Sequence, residues 1–180
     1  MIFGDVYGGS ALGSVNAGVN DTTSVNILNG TLKTSDNPTQ GTTPGGQTYF
    51  IYHGGNVYGG GLGESGVANV NKGKVNGPVI VNVGYFENTT SLSTGHDTVL
   101  YKGNATIEGN VYGCNNTNGS PQDTVIVNIY GTAHTTTPVN NTYEGTAYAI
   151  HNVFGGGNEA DYAPAVMKEA FVRIFGCENT

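Results

Sequence analysis

Four histidines, His53, His96, His134 and His151, are the first residues to weigh for chemistry, because an imidazole can take or give a proton near neutral pH. His53 and His151 precede aromatic phrases. A histidine brought against Tyr58 or Tyr112 would supply the acid and base of a polysaccharide lyase. The four stand at different places in the surrounding pattern, however, so they build no repeated site, and a neutral imidazole satisfied by backbone is the expectation. Asn158, Glu159 and Asp161 crowd together behind a glycine run and offer the oxygen ligands that suit a hard cation. The plainer reading is a solvated acidic loop, with no metal or cofactor. Beyond Glu159 and Asp161 no two acids recur at a set separation, as a paired-carboxylate hydrolase requires. Gly59-Gly60-Gly61-Leu62-Gly63 would cradle phosphate only in a strand-loop-helix unit with a lysine or acidic partner. Cys114 and Cys177 lack metal-ligand spacing.

Composition narrows the function further. In 180 residues there are 30 Gly, 22 Asn and 22 Thr, with charged residues at only 11%, against about 25% in a typical soluble domain. Val and Ile number 19 and 9 against 6 Leu, which favours strands over helices. The net charge is −7 with a single arginine, Arg173, so the cationic stripe that a phosphate backbone needs is missing and nucleic acid is excluded as a partner. The longest apolar runs, such as Tyr49–Tyr52, are far too short to be a membrane-spanning helix. Seven Asn-x-Ser/Thr sequons, at Asn20, Asn29, Asn88, Asn104, Asn115, Asn118 and Asn140, fit an exported, glycosylated chain and fit chance in so Asn- and Thr-rich a sequence.

The elements that would position these residues are visible as a repeat. Asp5-Val6-Tyr7-Gly8-Gly9 returns as Asn56-Val57-Tyr58-Gly59-Gly60, Asn110-Val111-Tyr112-Gly113-Cys114 and Asn152-Val153-Phe154-Gly155-Gly156. A second phrase follows each copy: Val25-Asn26-Ile27, Val81-Asn82-Val83, Val127-Asn128-Ile129 and Val172-Arg173-Ile174. Each closes on a glycine (Gly30, Gly84, Gly131, Gly176), as a sharp corner requires. Third apolar stretches, at Tyr49–Tyr52, Val99–Tyr101 and Tyr148–Ile150, precede the later copies and suggest about three strands per unit. The valines Val6, Val57, Val111 and Val153 are 51, 54 and 42 residues apart, so loops vary while the strands hold their place. Only Pro164–Ala170 favours a helix.

The pattern Val-x-Ile alternates with period two, which sends branched residues to one face and the middle residue to the other. The expected fold is all-β: a parallel β-helix (β-solenoid) of three to four units near residues 2–50, 51–104, 105–147 and 148–180, in a single segment covering 1–180. Its core would be Val6, Val57, Val111 and Val153 with Ile27, Val83, Ile129 and Ile174. Outside would run an Asn ladder from Asn26, Asn82 and Asn128 and an aromatic ladder from Tyr7, Tyr58, Tyr112 and Phe154. The length of the units leaves open whether each makes one turn or two.

These phrases resemble the tandem Gly-rich repeats of the Asn-Val-Tyr-Gly-Gly-Gly type found in large surface and secreted proteins of bacteria, which look like right-handed parallel β-helices of the adhesin class. The resemblance implies a non-enzymatic structural or adhesive module, extracellular or on the cell surface, with glycans as fitting partners. The alternative it leaves is a β-helical polysaccharide lyase, a glycoside hydrolase, or a glycan-binding module of the phage-tailspike kind. Neither end carries a polar capping unit, so open edges are expected, to be met by neighbouring repeats of a longer parent or by end-to-end self-association into a filament.

Overall fold

The computed structural model describes residues 1–16, 21–51, 53–66, 68, 71–90, 97–133, 149–164 and 167–175, and the side chains of all of these except 89, 90 and 97–100. Strands dominate and no α-helix occurs among the described residues. One parallel sheet holds β1 (Ile2–Phe3), β2 (Val6–Tyr7), β4 (Asn29–Lys33), β7 (Val57–Tyr58), β11 (Asn104–Tyr112) and β13 (Ile150–Phe154). A second parallel sheet runs in the order β14 (Ala170–Ile174), β12 (Val125–Ile129), β8 (Val79–Val83), β3 (Thr23–Ile27). The chain is therefore all-β with parallel sheets, in which like residues lie side by side.

The register pairs each phrase with its own copies. Val6 lies opposite Val57, Val57 opposite Val111, and Val111 opposite Val153. In the second sheet Val25, Val81, Val127 and Val172 align, as do Ile27, Val83, Ile129 and Ile174. Val57, Val83, Val111 and Ile129 are at most 1% exposed and Ile27 is 8% exposed, each such side chain contributing about 1.5–3 kcal/mol. Three expected core residues are less covered, Val6 and Val153 still packing against this core. Val6 and Val153 are only half-buried and Ile174 is 53% exposed. They sit on β2, β13 and β14, rim strands with a neighbour on one side only, so half of the packing that covers the inner valines is missing.

The third apolar stretch is also placed differently from expectation. Tyr49–Ile51 belongs to β6 (Thr48–Ile51), which pairs antiparallel with β5 (Thr39–Thr42). Residues 99–101 belong to β10 (Asp97–Lys102), paired antiparallel with β9 (Tyr85–Thr90). Both are hairpins inserted between parallel strands, and Phe50 and Ile51 stay exposed on theirs. Of the three stretches only Ile150 enters the parallel sheet, opposite Ile107. The strand preceding the phrase is instead the Thr31-Leu32 and Thr106-Ile107 pair, joined in register with Ile2, and Leu32 and Ile107 are buried. Hairpins thus absorb the excess length of the first and second units, and each of these units gives one strand to the second sheet. Tyr52, Tyr148 and Gly176 lie outside the described residues, and Pro164–Ala170 shows no helix in its described part, Ala170 opening β14.

The first glycine of each phrase is fixed by close approach. A Cβ on Gly59 would stand 2.4 Å from the Gly113 carbonyl oxygen and 2.6 Å from a Val79 methyl. A Cβ on Gly8 would likewise meet the Gly59 oxygen and a Val25 methyl, and one on Gly113 the Gly155 oxygen and a Val125 methyl. No side chain fits between the two sheets at that corner.

Aspartate placed in the same column at two positions should separate core from rim. Ile129→Asp buries an unpaired charge and should abolish the cooperative thermal transition, whereas Ile174→Asp, on the exposed rim strand, should shift stability by no more than about 0.5 kcal/mol. Circular-dichroism melts read both; equal loss in the two variants would contradict the placement of Ile174.

Candidate functional site

Valine points inward in the first phrase, so the residues on either side of it point outward and meet their own copies one strand away. Asp5 Oδ1 accepts the Asn56 backbone N–H at 3.0 Å and Asn56 Nδ2 at 2.9 Å. Asn56 Oδ1 accepts the Asn110 N–H at 2.9 Å, and Asn110 Oδ1 accepts Asn152 Nδ2 at 2.9 Å. The second phrase does the same: Asn82 Nδ2 donates to Asn26 Oδ1 at 2.8 Å and Asn128 Nδ2 to Asn82 Oδ1 at 2.9 Å. Tyr7, Tyr58, Tyr112 and Phe154 stack with centroids 4.9, 5.0 and 5.0 Å apart and nearly parallel planes. That separation is the strand spacing itself, about 4.8 Å.

The tyrosines are consequently structural. Tyr7 donates to Asp5 Oδ2 at 3.2 Å and accepts from Asn116 Nδ2 at 2.8 Å. Tyr112 donates to Asn158 Oδ1 at 3.1 Å and accepts from Asn110 Nδ2. Burial pushes the Tyr7 hydroxyl up to about 12, with Asp5 adding to the effect. Burial likewise holds Tyr58 and Tyr112 above the usual tyrosine range. None of these hydroxyl bonds goes to a histidine, and His53 bonds Thr39 Oγ1 at 2.7 Å across the base of the first hairpin. Among the described residues no tyrosine hydroxyl is hydrogen-bonded to a histidine. His96, His134 and Cys177 lie outside the described residues.

One constellation does converge, and sequence reasoning missed half of it. A cleft of about 370 Å³ is lined by Thr34, Gly54, Asn56, Glu108, Gly109, Asn110 and His151. Glu108 is anchored there by Thr34, whose N–H and Oγ1 donate to Oε2 at 3.0 and 3.1 Å. β11 and β13 pair at Ile107–Ile150 and again at Asn110–Asn152, with a register shift between. That shift sets Glu108 beside His151, although counting back from the two asparagines offsets them by one. Gly109 keeps the floor open, since a Cβ there would stand 2.6 Å from Asn56 Oδ1. A carboxylate and an imidazole on neighbouring strands can in principle pass a proton; both are exposed to solvent.

The other candidates are committed elsewhere. Asn158 is a ladder rung, its Nδ2 donating to Asn116 Oδ1 at 3.1 Å, and the Glu159 N–H donates to the Asn116 carbonyl at 2.7 Å. Among the described residues no three of His, Cys, Asp and Glu form a group that could hold a metal ion. In the glycine cluster the N–H groups of Gly59, Gly60 and Gly63 donate to the carbonyls of Tyr112, Cys114 and Ala11, and that of Gly61 to Asn115 Oδ1, which leaves no cradle. Asn115, read above as a sequon, is fully buried: besides Gly61 it serves the Gly73 and Asn118 carbonyls, both at 2.8 Å. Cys114 is fully buried, and burial pushes its thiol up to about 12. Asn20 and Asn140 are outside the described residues. Comparison with protein-family models, curated proteins and solved structures returns no match.

Two stability predictions follow from these groups. Asn115→Ala strands one buried N–H and two carbonyls, each worth about 1–3 kcal/mol when unsatisfied, so its urea midpoint should fall sharply while that of the exposed-rung variant Asn152→Ala barely moves; similar small losses would count against Asn115 as the inter-unit tie. Alkali supplies the other test. The folded thiol of Cys114 and hydroxyl of Tyr7 keep protons that the unfolded chain gives up near 9.0 and 10.0. Stability is therefore complete below that range and should decline as pH rises towards about 12. Melting midpoints across the window check this, and a smaller decline in Cys114→Ala isolates the thiol.

Proposed function

We propose that the chain is a non-enzymatic structural or adhesive module of an extracellular or cell-surface protein, built as a segment of parallel β-helix in which the units are successive coils. The observation that carries this reading is that the repeated polar and aromatic side chains spend their hydrogen bonds and ring faces on their own copies, as in the Asp5–Asn56–Asn110–Asn152 column. Side chains used this way hold units together and are withdrawn from chemistry. In-register parallel pairing of the four copies of each repeated phrase supports the coil reading, since it satisfies backbone groups between units. The exposed aromatic residues of the hairpins, among them Tyr49, Phe50, Tyr85 and Phe86, support the adhesive part, because exposed aromatic rings rimmed by Thr and Asn suit glycan contact.

A second reading, a β-helical polysaccharide lyase or hydrolase, is favoured by one observation, the meeting of Glu108 with His151 in a cleft. Against it stand the double hydrogen bond that ties Glu108 to Thr34 and the lack of any arginine or lysine in the cleft lining to neutralise a uronate.

The two readings part on one assay. Incubation with a panel of neutral and acidic polysaccharides should release neither reducing ends nor unsaturated uronates, and the chain should be retained by at least one glycan without altering it. Product release that disappears in both Glu108→Gln and His151→Ala would establish the enzyme instead.

A further inference from the structure

The asparagine ladders have a direction. In each of them Nδ2 of a later unit donates to Oδ1 of the unit before it: Asn82 to Asn26, Asn128 to Asn82, Asn152 to Asn110, Asn158 to Asn116. A ladder made of asparagine alone would thus offer donors at its first rung and acceptors at its last. Two copies of such a stack would fit head to tail.

Two rungs break the rule, and they break it on different ladders. Asp5 is the first rung of the column that continues through Asn56, Asn110 and Asn152. An ionised carboxylate only accepts, so it can serve Asn56 above but cannot donate to a rung below. Arg173 is the last partner in the column of Asn26, Asn82 and Asn128. A guanidinium only donates. If a second copy were set in register on the β13–β14 edge, the carboxylate of its Asp5 would face Asn152 Oδ1, acceptor against acceptor, leaving only the Asp5 backbone N–H to donate there as the Asn56 and Asn110 N–H groups do in the rungs before, and its Asn26 amide would face Arg173, donor against donor.

A second observation points to what does fit. Asn128 is 7% exposed, and its Oδ1 is a buried acceptor that receives no hydrogen bond. By the polarity of the ladder its donor should come from the next rung, which is Arg173. The guanidinium lies instead over the Phe171 ring, 5.5 Å from its centre, on a strand whose Val172 and Ile174 are 42% and 53% exposed. A carboxylate arriving one strand further on would attract the guanidinium into line, one arm of its planar fork donating outward to the newcomer and another inward to Asn128 Oδ1.

We propose that the β13–β14 edge receives a parallel strand edge of a different polypeptide, one that carries Asp or Glu at the rung opposite Arg173 and aliphatic residues opposite Val172 and Ile174, and that Asp5 and Arg173 together bar a second copy of this chain from that place. The open edges are then selective, and the filament expected from the repeats does not form from this chain alone. The inference rests on strand register and ladder polarity and does not depend on whether Glu108 and His151 catalyse anything.

The test writes the inferred partner's chemistry onto the N-terminal edge. In the double variant Asp5→Asn, Asn26→Asp, residue 5 gains a donor for Asn152 Oδ1, and residue 26 presents a carboxylate to Arg173 while still accepting from Asn82. Sedimentation velocity over a concentration series should show one concentration-independent species for the unaltered chain and a growing series of larger species for the double variant. Those species should dissolve in high salt and disappear when Arg173→Glu is added. Melting curves confirm that each variant is folded, and the single variant Asn26→Asp, which keeps the native Asp5, serves if the double one is not. Two results overturn the proposal: self-association of the unaltered chain as strong as that of the variant, or a folded variant that stays a single species.

Discussion

Parallel pairing in register imposes one constraint on which the rest of this structure depends: every residue in a column must tolerate a copy of itself about 4.8 Å away. Few side chains do. Valine and isoleucine nest, asparagine donates and accepts at once, and tyrosine stacks, which accounts for columns such as Val57–Val111, Asn26–Asn82–Asn128 and Tyr7–Tyr58–Tyr112. A column of lysines or aspartates would repel itself at that spacing. The charged fraction of 11% is therefore a consequence of the architecture, and among the described residues charge is found on hairpins, loops, the rungs where a ladder stops, and at Lys33 and Glu108 of β4 and β11.

The second constraint is the narrow gap between the two sheets at the phrase corner. With 2.4 Å between a would-be Cβ of Gly59 and the next carbonyl, the backbone itself is the packing surface. Polar backbone groups exposed by such glycine turns need partners, and Asn115 supplies three of them from one buried amide. The same amide explains why the third copy of the phrase departs from the Gly-Gly-Gly pattern: Cys114 fills a fully buried position and Asn115 reaches back to the second unit.

Chemistry in such a molecule has to arise where the repetition fails. The register shift in β11 makes the Glu108–His151 cleft, the insertions make aromatic hairpins, and the terminal rungs Asp5 and Arg173 carry the charges that the columns exclude. These departures, more than the repeated phrase, are where partner choice resides, because the phrase spends its side chains on cohesion.

By itself the sequence determined the all-β class, the pairing of the phrases and the ladders. A residue repeated at a fixed place beside valine can only meet its own copies if the strands align in parallel, so repetition already states the register. It could not determine what occurs once. Tyr49–Ile51 is as apolar as a core strand, and only the paired structure shows it in a hairpin, while Leu32, between Thr31 and Lys33, and Ile107, between Thr106 and Glu108, carry the buried column. Asn115 reads as a sequon until its burial is known, and Ile174 reads as core until β14 is seen to be a rim strand. Glu108 and His151 become neighbours only through a shift of register, a property of the paired backbone that spacing along one chain does not encode.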